Sequence, residues 1–180
     1  MQAVLESGLT WEEKILTQIL AGRVLIAPGD GPLCERRFTA PATVERLRVE
    51  PVGRFLYQAT LRPTRRFYDA YGLDPASVAL GDWHPDLIEV REDPDGERLL
   101  RIIDVKRGDS LQLGYRLQVL LYALALEAVL ADVGIAGVRV DLQTGAVWLG
   151  EQPEPETFDM RPLRPHLDTV LAPRPGRSVR

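Results

Sequence analysis

Apolar positions along this chain fall into distinct rhythms, and each rhythm predicts a different element. Ile15, Leu16, Ile19 and Leu20 form one stripe at helical spacing. Thr10 ahead of them can accept a backbone N–H, Glu12 and Glu13 favour the positive end of a helix, and Gly22 can stop it. A capped helix is therefore expected over 10–22. RFLYQATL, residues 54–61, is rich in strand formers, whereas 62–82 is mixed and reads as a short helix and loop. PDLIEVRE and RLLRIIDVKR then flank DPDG, where Pro94 pre-sets a turn and Gly96 tolerates positive φ, so a hairpin is expected. Its second strand is apolar on both faces, as in a strand covered on both sides. Leu113 to Val133 is apolar almost all round and reads as the longest helix, packed across a sheet. GVRVDL and AVWLG read as a second hairpin around QTG, and 161–171 as a closing helix.

The order helix, strand, hairpin, helix, hairpin, helix predicts one α/β domain over 1–171, a central mixed β-sheet flanked by helices. The Pro- and Arg-rich end, 172–180, is expected to be a flexible tail.

Composition narrows the function classes. The chain has 180 residues, which fits one domain, and 45% apolar with 27% charged residues is ordinary for a globular protein. A net charge of −4 gives no global basic footprint of a nucleic-acid binder, so any basic groups for that purpose must be local. Cys34 is the only cysteine, which excludes an intramolecular disulfide and any four-cysteine zinc or iron–sulfur site. The opening MQAVLESGLTWEEK lacks a signal-peptide pattern, and the apolar run 117–130 is shorter than the ~20 residues that span a bilayer. A cytoplasmic protein without a membrane partner is expected. Gly29 and Gly31 make a GxG in the loop 28–33, but Pro32 follows and no third glycine completes a dinucleotide fingerprint.

The chemistry concentrates in the first hairpin. Asp104 and Lys106 are two apart on a strand and share a face, while Val105 takes the other. Folding back across the 93–96 turn brings Asp86 to the same end. Carboxylate oxygens suit a hard cation such as Mg²⁺. A cation there can polarise a phosphodiester and lower the pKa of a bound water. Lys106 can orient that water or stabilise charge developing on phosphate, and the Val105 carbonyl is a natural further ligand. Asp93, Asp95 and Glu97 are the hairpin turn rather than a calcium loop, most of whose ligands are missing.

Pro85-Asp86 followed by Asp104-Val105-Lys106 resembles the PD-(D/E)XK signature. Gln118 and Tyr122 match the Gln-x-x-x-Tyr helix motif of its RecB-like nucleases, and YQATL at 57–61 resembles the strand preceding the first aspartate in some members. The resemblance implies a restriction-endonuclease-like core and a Mg²⁺- or Mn²⁺-dependent nuclease acting in repair, recombination or defence. It implies catalytic Asp86, Asp104 and Lys106, with metal on Asp86, Asp104 and Val105 and accessory Gln118 and Tyr122. Nucleic acid is the implied partner, DNA ahead of RNA, with a helicase or larger nuclease assembly as a further partner. The chain departs from the pattern in three places. Trp83 stands where many members have glycine, no histidine lies on the first helix, and the iron–sulfur cysteines are absent. Glu12 is a candidate substitute ligand for that histidine. Arg62, Arg65 and Arg66 are a basic cluster suited to phosphates, or to an ordinary solvated loop. The alternative function is a catalytically inactive nuclease-like module that binds nucleic acid or docks in a larger complex.

Overall fold

The computed structural model describes residues 11–150 and 152–171; the expected cap Thr10 and the tail 172–180 lie outside the described residues. The first helix, α1, runs over 11–19, and Ile15–Ile19 within it is π-helical. Beyond it, Gly22 turns the chain with φ 74°. Further helices are α2 (Ala40–Val49), α3 (Arg65–Ala70), α4 (Leu113–Val133) and α5 (Arg164–Leu171). The strands are β1 (Val24–Leu25), β2 (Phe55–Tyr57), β3 (Leu87–Glu92), β4 (Arg98–Lys106), β5 (Val138–Val140), β6 (Thr144–Leu149) and β7 (Glu156–Asp159).

These seven strands form one open mixed sheet in the order β1-β2-β3-β4-β6-β7, with β5 also on β4. Strand alternation sorts the core into two layers. Phe55, Tyr57, Leu87, Ile103, Ala146 and Trp148 face α1, where Trp11, Ile15, Leu16 and Leu20 cover them. Leu56, Ile88, Val90, Leu100, Ile102, Val147 and Leu149 face the other way and pack with the buried residues of α4. A side chain of this kind contributes about 1.5–3 kcal/mol when fully buried, so α4 is held by the sheet rather than by its own propensity. The helix ends where Gly134 takes a left-handed conformation, φ 63°, and returns its N–H to the Leu130 carbonyl at 3.0 Å.

The first hairpin forms as expected, with Leu87 opposite Ile103 and Glu92 opposite Arg98. Asp93, only 6% exposed, accepts the backbone N–H groups of Asp95 (2.8 Å) and Glu97 (2.9 Å) and an ion pair from Arg139. The turn's acidic residues are therefore structural.

The second hairpin does not form. β5 and β6 both run parallel to β4, Arg98 pairing with Val138 and Ile103 with Ala146, so the chain jogs between them without reversing. The Asp141 carboxylate accepts Gln143 N–H (3.0 Å) and Thr144 N–H (2.8 Å), while Asp141 N–H stays on the Leu100 carbonyl (2.8 Å). Gly145 serves close approach rather than a reverse turn. A Cβ there would meet Val119 at 2.7 Å and Phe158 at 2.8 Å. Two further differences concern β2 and the tail of the sheet. β2 stops at Tyr57, four residues short of the end of the 54–61 run, because Gln58 turns left-handed with φ 49°. β7 and α2 were not anticipated. The closing segment is helical as expected, a 3₁₀ turn Arg161–Leu163 leading into α5.

Candidate active site

Three elements end at one point of the sheet. β3 begins at Leu87, immediately after Asp86; β4 ends at Lys106; and β2 gives way to Gln58. Asp86 accepts the Val105 backbone N–H on Oδ2 (2.8 Å) and the Gln58 amide on Oδ1 (3.0 Å). Gln58 also donates its own backbone N–H to the Asp86 carbonyl at 2.9 Å. The carboxylate is thus fixed from two strands. The left-handed backbone of Gln58 is a conformation non-glycine residues rarely adopt, and such outliers concentrate at functional sites.

Asp104 lies beside it, 1% exposed, with Lys106 Nζ 2.8 Å from its Oδ2. The Asp86 carboxylate is the neighbouring negative charge that Asp104 feels most. Burial, and next the Asp86 charge, push the Asp104 carboxyl up to about 7, against the pull of Lys106. Burial alone would lower the Lys106 ammonium; the charges of Asp104 and Asp86 win and raise it, so it is cationic at neutral pH. Its Nζ also stands 5.6 Å from the Tyr115 ring centroid. The end of β4 is clasped by Gly150, whose N–H donates to the Lys106 carbonyl at 2.9 Å.

Gln118 and Tyr122 reach the same cluster from α4. Gln118 Nε2 donates to Tyr122 Oη at 2.9 Å. Burial raises the Tyr122 phenol, and it feels the charges of Asp104, Asp86 and Lys106. Glu12 approaches from α1. Its carboxyl is raised first by burial and next by the Asp86 charge, against the pull of Tyr57, Gln58 and Lys106.

The donor set suits a small hard cation. Two neighbouring carboxylates either share a proton or share a positive charge. In a strand, a residue's N–H and C=O face the same edge, so the Val105 carbonyl faces the Asp86 side along with its N–H. Among the described residues no group of three His, Cys, Asp or Glu side chains is placed to hold a metal. A donor set of two carboxylates and a carbonyl would leave the rest of a cation's shell to water, which is the habit of Mg²⁺.

The arginine cluster is not gathered at these carboxylates as one unit. Arg62 makes a bidentate pair with Asp82, both contacts at 2.9 Å, and Arg65 pairs with Asp69 at 2.8 Å. Arg66 faces a different cavity, beside Tyr71 and Arg164. His84 has its Nδ1 3.2 Å from Thr60 Oγ1, and burial, then Arg37, lower its pKa, so it is neutral at pH 7. Trp83 packs edge-on against Phe67, centroids 5.1 Å apart, and pairs its backbone with Leu61.

Sequence reasoning missed Gln58, Tyr57 and Tyr115. The signals were present: an amide interrupting the apolar run of YQATL, and a tyrosine seven residues, two helical turns, before Tyr122. No protein-family model, no curated protein and no solved structure matches this chain. No helix among the described residues is long and apolar enough to cross a membrane.

Proposed function

We propose that this chain is a metal-dependent nuclease of the RecB-like branch of the PD-(D/E)XK superfamily, built on a restriction-endonuclease-like core. Its substrate is nucleic acid, DNA ahead of RNA, and its reaction is hydrolysis of a phosphodiester bond. The observation that carries this reading is the convergence of Asp86, Asp104 and Lys106 at one end of β3 and β4, with Lys106 2.8 Å from Asp104. Asp86, Asp104 and the Val105 carbonyl would hold Mg²⁺ or Mn²⁺. Such an ion, when bound, polarises the phosphate and lowers the pKa of its water.

The chain's own groups then divide the work. Lys106 carries a fixed positive charge to where the phosphorane gains negative charge. Tyr122 accepts from Gln118 and so keeps its hydroxyl proton for a phosphate oxygen. Gln58 and the Val105 N–H hold Asp86 in place. Attack of water oxygen on phosphorus forms the new P–O bond as the bond to the sugar oxygen breaks, and that oxygen takes a proton from solvent.

One observation favours a second reading, an inactive nuclease-like module that binds nucleic acid or docks in a helicase or nuclease assembly. The Lys106–Asp104 ion pair puts a positive charge against the buried carboxylate without any metal. The two readings separate when the purified chain is incubated with end-labelled single- and double-stranded DNA in Mg²⁺, in Mn²⁺ and in chelator. Cleavage confined to the metal-containing reactions is the expected outcome. DNA bound but uncut under every condition would establish the inactive module.

A further inference from the structure

The three arginines after β2 part company in the fold. Arg62 and Arg65 are held by Asp82 and Asp69, but Arg66 has no salt-bridge partner among the described residues. It lines a cavity of about 300 Å³ where α3, α4 and α5 meet, with Tyr71, Leu124, Glu127, Ala128 and Arg164. Leu124, Glu127 and Ala128 lie at i, i+3 and i+4 on one face of α4, and Gln118 and Tyr122 are not among the lining residues.

Tyr71 is the unusual member. It is 9% exposed, and its buried hydroxyl has no hydrogen-bond partner among the described residues. Buried polar atoms are nearly always paired, so this hydroxyl is a donor left over for whatever enters the cavity. The Arg164 guanidinium stands 6.0 Å from the Tyr71 ring centroid, and only its Nε is committed, to Asp168 at 3.0 Å. Glu127 has no cationic partner among the described residues. Two guanidiniums and a phenolic O–H thus border one apolar cavity, with a lone carboxylate at its margin.

We propose that this cavity binds a nucleoside monophosphate. The phosphate takes charge-assisted hydrogen bonds from Arg66 and Arg164, whose planar forks match its oxygens, and a further one from the Tyr71 hydroxyl. The base lies along Leu124, Ala128 and the Tyr71 ring, and its exocyclic amine donates to Glu127. A sugar phosphate without a base leaves the apolar wall and Glu127 unused. The site uses none of Asp86, Asp104 or Lys106, so it stands whether or not the chain cuts nucleic acid.

Calorimetry of the full chain in chelator, with deoxyadenosine monophosphate as the probe, tests this. Deoxyadenosine and inorganic phosphate serve as the two halves. The mononucleotide should bind one to one, and deoxyadenosine at least tenfold more weakly. Arg66→Ala and Tyr71→Phe should each weaken binding about tenfold, the scale of one hydrogen bond to a charged group. Asp104→Asn should leave it unchanged. Arg66 is exposed, so Arg66→Ala keeps the test sound even if Tyr71→Phe perturbs the fold. Absence of binding overturns the proposal, as does affinity indifferent to Arg66→Ala. Binding abolished by Asp104→Asn would place the ligand at the carboxylates instead, and phosphate binding as tightly as the mononucleotide would refute the nucleoside part.

Discussion

Asp104 combines near-complete burial with a neighbouring carboxylate, and the two together hold its proton up to about pH 7. A cation must displace that proton to bind. Mn²⁺ affinity measured by calorimetry should therefore rise about tenfold per pH unit from 5 towards 7 and level off above it. Asp104→Asn should bind Mn²⁺ far more weakly and lose this slope. The same shift acts on stability. The folded pKa lies above the unfolded one, so between the ordinary carboxylate range and about 7 the native state holds a proton that the unfolded chain has released. The contribution is present at low pH and lost as pH rises through about 7. In urea titrations of the metal-free protein, the stability of wild type relative to Asp104→Asn should fall between pH 5 and 8. A rise would contradict the burial argument. Gln58 acts one step removed, through Asp86. Gln58→Ala should weaken Mn²⁺ binding about 10–100-fold, the usual effect of removing the partner that orients a ligand. Gln58→Glu would show whether a bond donor is required there or only a polar side chain. Little of Gln58's role was legible, because one amide in a strand-like run does not announce a left-handed backbone.

At the scale of elements, the legible parts are those whose signal is local. DPDG encodes its turn through Pro94, Gly96 and the self-bonding Asp93, and α4 through a long, mostly apolar run with no proline between a loop and Gly134. Asp93→Ala strands two backbone donors and removes one of Arg139's carboxylate partners, so it should cost about 1–3 kcal/mol in urea denaturation. The illegible parts depend on tertiary contacts. QTG looks like a hairpin turn, yet its glycine is selected by the approach of Val119 and Phe158, which sequence spacing does not reveal. Gly145→Ala should lower stability by about 1–3 kcal/mol through overpacking, with little change if Val119 and Met160 yield easily. α2 was missed because only Thr43 and Leu47 are buried, leaving no stripe, and its Thr39 cap is a small clue. β7 buries Phe158 alone, too little alternation to stand out.

The molecule as a whole is a mixed sheet with helices on both faces, and its chemistry-bearing groups gather where β2, β3 and β4 end beside the first half of α4. That gathering was legible. Asp86, Asp104 and Lys106 are placed by a single hairpin register, and Gln118 and Tyr122 by a single helix, so local signals sufficed. Glu12 depends on how α1 packs, and the arginines on which acids lie near them, so neither was fixed by local pattern. The proposed function requires that this cluster hydrolyses phosphodiesters rather than merely resting as an ion pair. Single-turnover cleavage of labelled DNA by wild type and Lys106→Ala, at saturating Mn²⁺ and matched DNA occupancy, tests it most directly. The expected result is metal-dependent cutting by wild type and a rate about 10²–10³ lower in the variant, with metal and DNA affinity retained, because the lysine acts on charge present only in the transition state. Cutting undiminished in Lys106→Ala, or a wild type that binds DNA and never cuts it, would contradict the account.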